Sequence, residues 1–289
     1  LADPTLGPIA GFFRDIFVYS YNTINNHNWL ICGGGQSGVT TLIRALETDS
    51  DVIPTPDSTV DKVPMRSIKA HAQLADRSMK LRLKAADMRN QPDGRWQYLE
   101  EIIKKPIGVV YVFRTYEEKN KQVIEAPHIS PYMDKFDRNN GHNMFNPDYE
   151  QFEFITNAML NPSSIEEKYR EIFEEASLHS DIRHRYMNKF KGWVPQVLLM
   201  VANFRDATFQ MGEYQNEFQA KTAEETYLNK YKQIFEPLTN QWQITPRNWG
   251  VFNKKYITIK YVSISAKYNI GMGNLLALMG NKTNLLAGG

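Results

Sequence analysis

A glycine-rich turn set between an apolar run and a helix-like stretch constrains this chain more than any other feature. In Trp29-Leu30-Ile31-Cys32-Gly33-Gly34-Gly35-Gln36-Ser37-Gly38-Val39-Thr40-Thr41-Leu42 two glycines stand five apart, Gly33 and Gly38, with Thr40 two residues on. That is the layout of a phosphate-binding loop, G-x-x-x-x-G-K-[ST]: a short buried strand, a tight turn and the opening of a helix. Glycines let consecutive backbone N–H groups curl round an anion, and the helix N-terminus adds a favourable partial charge. One position departs from the pattern. Val39 stands where the motif has the lysine that neutralises the β- and γ-phosphates.

The rest of the composition narrows the setting. With 34 basic and 32 acidic residues the chain carries no strong field, so a nucleic-acid partner is not expected. Cys32 is the only cysteine, which rules out an internal disulfide and a cysteine-rich zinc module and fits a reducing, cytoplasmic setting. No H-E-x-x-H spacing occurs, and no apolar run approaches the roughly 18–20 residues that span a bilayer. No secretory leader is read at the start. Residues 1–27 instead place Ile9, Phe12, Phe13, Ile16 and Phe17 at helical spacing. Such an amphipathic helix packs on the domain or lies in a partner groove or on a membrane surface, through about residues 8–21.

From residue 28 the pattern alternates. Strands are predicted at 28–32, 67–73, 78–86, 107–113, 196–202 and 256–263, and helices at 40–47, 95–105, 164–178, 223–235 and 272–280. Ile107–Phe113 and Val197–Val201 are almost continuously apolar, as suits strands covered on both faces. The expected fold class is α/β, with a mostly parallel central sheet between helical layers. Residues 115–195 break the rhythm and are too long for a loop, so they read as an α-rich insertion with structure of its own. There Ser164 and Glu167 form a capping box ahead of Ile165, Tyr169, Ile172 and Phe173. Eight aromatics of that stretch (Tyr116, Tyr132, Phe136, Phe145, Tyr149, Phe152, Phe154 and Trp193) read equally well as interface anchors or as a small core of their own.

Motifs fall at successive strand ends. After the loop come Thr55 and Thr59 in a Pro/Thr/Ser stretch, then Asp87-Met88-Arg89-Asn90-Gln91, Asn203-Phe204-Arg205-Asp206 and Ser265-Ala266-Lys267. In this order they resemble the Ras-like small GTPases, most closely the ARF and signal-recognition-particle-receptor β branch, over about residues 28–113 and 196–280. The resemblance implies a three-layer P-loop domain over 28–289, interrupted by the insertion at 115–195. It implies GTP or GDP with Mg²⁺ as ligand. Gly33, Gly35, Ser37, Gly38, Val39, Thr40 and Thr41 would face the phosphates, and Thr40, Thr59 and Asp87 would serve the metal. Asp206 would read guanine, the Ala266 N–H would meet the base carbonyl, and Ser265 and Lys267 would complete that loop. Asn203 would tie the base loop to the phosphate loop, and Gln91 would orient the attacking water.

Three departures weaken the catalytic side of that expectation: Val39 for lysine, Asn90 for glycine and Phe204 for lysine. They favour a pseudo-GTPase that acts through protein partners, by its switch regions and the insertion, with feeble or absent hydrolysis. Two alternatives stand beside it. One is an active hydrolase in which Lys62, Lys69 or a lysine of the insertion restores the missing charge; the other is a structural scaffold with an occluded site.

Overall fold

The computed structural model describes residues 27–35, 37–47, 63–64, 68–74, 77–84, 86–87, 95–119, 122–125, 147–163, 165–170, 172, 174, 180–203, 205, 217–246 and 256–284. The N-terminal amphipathic stretch before His27 lies outside them, as do Gln36, Thr59, Lys62, Gln91, Ser164, Phe204 and Asp206.

Among the described residues ten strands are formed: β1 His27–Gly33, β2 Val63–Pro64, β3 Ile68–Leu74, β4 Arg77–Lys84, β5 Ala86–Asp87, β6 Gly108–Arg114, β7 Tyr116–Lys119, β8 Gln122–Glu125, β9 Val197–Asn203 and β10 Thr258–Ser263. The helices are α1 Val39–Glu47, α2 Trp96–Ile103, α3 Pro147–Leu160, α4 Ile165–Lys168, α5 Ser180–Lys189, α6 Glu217–Ile244 and α7 Met272–Asn284. Six strands make one sheet in the order β10-β9-β6-β1-β4-β3. Every pairing in it is parallel except β3 against β4. β2 with β5, and β7 with β8, form two small antiparallel ribbons.

The two faces of the sheet are read directly from residue alternation. On β1, Leu30 and Cys32 point to one face and Trp29 and Ile31 to the other; on β6, Val109, Tyr111 and Phe113 oppose Val110 and Val112. The first face packs against α2, α3, α5 and α6, and the second against α1 and α7. All seven residues of β6 and of β9 are buried, which explains why both read as unbroken apolar runs. The architecture is therefore α/β, with helices on both sides of a mostly parallel sheet.

The expected insertion needs correcting in its second half. α3 is a layer of the main core: Phe152 meets Tyr111 at 4.6 Å and Phe235 at 5.6 Å between ring centroids, and stacks on Trp242 at 6.5 Å. Phe152 and Phe154 are fully buried, and Tyr149 and Trp193 lean on the same cluster. The Trp193 indole N–H donates to Pro106 O at 2.7 Å, fixing the segment before β9 to the segment before β6. Burying such rings is favourable by roughly 1.5–3 kcal/mol each, so these four aromatics serve the core and not a docking surface. Tyr132, Phe136 and Phe145 lie outside the described residues, and Tyr116 is placed only as backbone of β7.

Candidate functional site

The sheet runs outward from a centre. The chain goes from β1 to β4 on one side and then returns to β6 on the other, so the carboxyl end of β1 lies at a topological switch point, where open α/β sheets bind ligands. The phosphate-type loop leaves β1 at that point. Ser37 N–H donates to Gly34 O at 3.2 Å, and Leu42 N–H donates to Gly38 O at 2.8 Å, so the turn passes directly into α1. Gly38 has φ +87°, a conformation that L side chains rarely adopt, and a Cβ on it would overlap Asn203 Nδ2. Open space lies where a Cβ on Gly35 would stand.

Asn203 closes β9 and holds the site together. Its Nδ2 donates to Ser37 O at 2.9 Å, while its Oδ1 accepts the Ala266 N–H at 3.1 Å. Its own carbonyl accepts from Thr115 Oγ at 2.6 Å. The buried side chain thus joins the glycine-rich loop to the loop after β10, and the backbone carbonyl ties in the residue that follows β6. That last loop is tight: Ser265 and Ile270 exchange backbone hydrogen bonds of 2.9 and 3.0 Å. The Ala266 N–H, expected to face a base, is engaged by Asn203 in this structure. Ser37 Oγ and Ser265 Oγ are both buried with no hydrogen-bond partner among the described residues, which is costly unless something further supplies one.

Val39 is buried among Trp29, Ile31, Leu42 and Val112. Its Cγ2 comes within 2.9 Å of where a Cβ on Gly33 would stand, so the side chain leans back over the loop. Thr40 and Thr41 follow in the first turn of α1, both half-buried. Lys267 is exposed, its ammonium 5.2 Å from the Tyr268 ring centre. Asp87 sits on β5, its backbone paired with Val63.

Lys69 pairs with Arg82 on β4, and the next β4 residue, Leu83, pairs with His27 at the opening of β1, so the backbone of Lys69 lies at the end of the sheet away from Gly33.

Sequence reasoning missed a second polar group at the loop. Arg114 ends β6, and its Nε donates to Asp148 Oδ2 at 3.3 Å, both side chains being buried. Asp148 is the second residue of α3, and the Tyr111 hydroxyl donates to its carbonyl. Burial, and then the Asp148 charge, push the Tyr111 phenol well above its ordinary value, so it remains a neutral donor. Burial likewise raises the Cys32 thiol and keeps it inert. The signals were present: Arg114 and Thr115 directly follow an apolar strand, and Pro147-Asp148 is a helix-start pair.

Among known proteins, no family model matches this chain and no curated protein is similar to it. Among solved structures it is similar to a chain of the mammalian SRP receptor structure at 14% identity, over 87% of this chain and 98% of that one, with a TM-score of 0.39. A likeness that loose carries neither fold nor function, and the reading below stands on the geometry. No helix among the described residues is long and apolar enough to cross a membrane.

Proposed function

We propose that this chain is a degenerate Ras-like nucleotide-binding module that works through protein contact, with hydrolysis weak or absent. The observation that supports this best is the double hydrogen bond of Asn203 to Ser37 O and to the Ala266 N–H. A turn residue with no ligand to organise has no need to join two loops 63 and 166 residues away in sequence. In the family that the motifs resemble, those loops hold the phosphates and the base.

In that reading the backbone N–H groups of Gly33–Thr40 bind phosphate oxygens, and Asp206 pairs with the guanine N1–H and amino group. Thr40 would ligate Mg²⁺ through its hydroxyl, Asp87 would hold the ion through water, and Thr59 would join them; the ion would screen the phosphate charge. Val39 supplies none of the charge-assisted contacts that a lysine gives, each worth about 1.5–3 kcal/mol and more toward a developing transition-state charge. Binding therefore outlasts catalysis.

Calorimetry with GDP and ADP on the wild type and on Asp206→Ala tests the reading. GDP preferred over ADP, with the preference lost in Asp206→Ala, is the expected result. Equal affinity for both would overturn base recognition, and a protein that binds neither is a scaffold.

A further inference from the structure

Helix α3 meets the glycine-rich loop at one point. A Cβ built on Gly34 would overlap Asp148 Oδ1 and would lie 2.7 Å from its Cγ and 2.8 Å from its Cα. The first turn of α3 therefore rests directly on Gly34, with side chain and backbone together. Asp148 is itself held from three sides: Arg114 Nε at its carboxylate, the Tyr111 hydroxyl at its carbonyl, and the packing of Phe152 one turn on. Both holding residues belong to β6, the strand paired with β1, residue for residue, from Trp29 to Gly33.

We propose that Asp148 is the positioning residue of the phosphate loop: it seats Gly34 against β6 and α3, and so holds the N–H groups of residues 34–38 in place. The lysine-bearing loops that this one resembles have a side chain of their own lying across the turn. Here Val39 leans over Gly33 with no polar end to offer, and the next residue, Gly34, is braced by a carboxylate. Two fixed points then define the loop, Asp148 at Gly34 and Asn203 at Ser37 and Gly38. The proposal rests on the nucleotide-binding reading only for what the loop holds; the seating belongs to the chain itself.

The test is hydrogen–deuterium exchange of the full chain, comparing a peptide across residues 33–42 with one across β9, and GDP calorimetry on the same proteins. In Asp148→Ala, loop exchange should rise at least tenfold while β9 keeps its protection, and GDP affinity should fall at least tenfold. Asp148→Asn keeps the shape and loses the charge, and should recover part of both. Unchanged loop exchange in Asp148→Ala with β9 protected would overturn the proposal. If Asp148→Ala does not fold, Gly34→Ala decides, because it keeps both Asp148 and Arg114 in the chain and puts a methyl group into the seat. Faster loop exchange with β9 protected then supports the proposal, and unchanged exchange overturns it. A wild type that binds no GDP sinks the nucleotide reading, and the exchange comparison still judges the seating.

Discussion

Val39 is where a single side chain sets the chemistry against the packing. It is buried against Trp29 and Ile31, so removing it from the core costs on the order of 1–2 kcal/mol. It also leans over Gly33, the direction from which a longer chain would reach the turn. Val39→Lys should therefore lower the melting temperature of the ligand-free protein and tighten GDP binding about tenfold or more, through one charge-assisted contact. Calorimetry beside a thermal melt checks both halves; a variant that loses stability and gains no affinity would show that position 39 does not face the ligand. At this scale the sequence was a good guide wherever the backbone dictated the residue. Gly38 could be recognised because its positive φ requires glycine, and Asn203 because it closes a strand. Asp148 could not, since its role depends on a contact with Gly34, 114 residues away in sequence, that no local pattern encodes.

Elements were legible in proportion to how local their causes are. The six strands of the main sheet lie within two residues of the expected spans; on β6 and β9 burial on both faces writes itself as an apolar run. α6 extends the expected 223–235 to Glu217–Ile244; beyond Phe235 the buried Leu238, Thr239 and Trp242 alternate with exposed Glu236, Pro237 and Asn240, which blurs the apolar period. Of the expected helix at 164–178, residues 165–170, 172 and 174 are described, and α4 Ile165–Lys168 is formed there. α3 and α5 were taken into the insertion because polar residues interrupt their apolar faces. On α3 the reason is visible: its first turn carries Asp148 and Gln151, both fully buried near the loop end of the sheet, before the aromatic turns begin. The Gln151 side-chain amide has no hydrogen-bond partner at either atom among the described residues. A buried orphan amide costs roughly 1–3 kcal/mol, so Gln151→Leu should raise the urea midpoint by a corresponding amount. A lower midpoint would mean that the amide is satisfied in solution, by water or by a neighbouring group.

At the scale of the molecule, the sheet separates what must be kept from what can be exchanged. Helices pack on both faces of the sheet, and the second half of the stretch first read as an insertion supplies part of one layer through α3 and α5, beside α2 and α6. Removing residues 120–160 would therefore take Phe152, Phe154, Ile155, Ala158 and Met159 out of the core, at about 3–5 kcal/mol for each aromatic alone, and the domain would not fold. One candidate for a partner-binding role is the stretch between the end of β8 and the start of α3, residues 126–146, which hold Tyr132, Phe136 and Phe145. That segment is joined at both ends to the candidate site, through the β7–β8 ribbon that follows Arg114 and Thr115, and through Asp148. Replacing 126–146 by a glycine–serine linker of equal length avoids any change in reach. The expected outcome is a protein with an unaltered melting temperature and GDP affinity that no longer captures the partner found with the wild type. Retained capture would move the interface to another face of the domain. A collapse in melting temperature would show that these residues complete the core, and that the aromatic cluster on α3 continues into them.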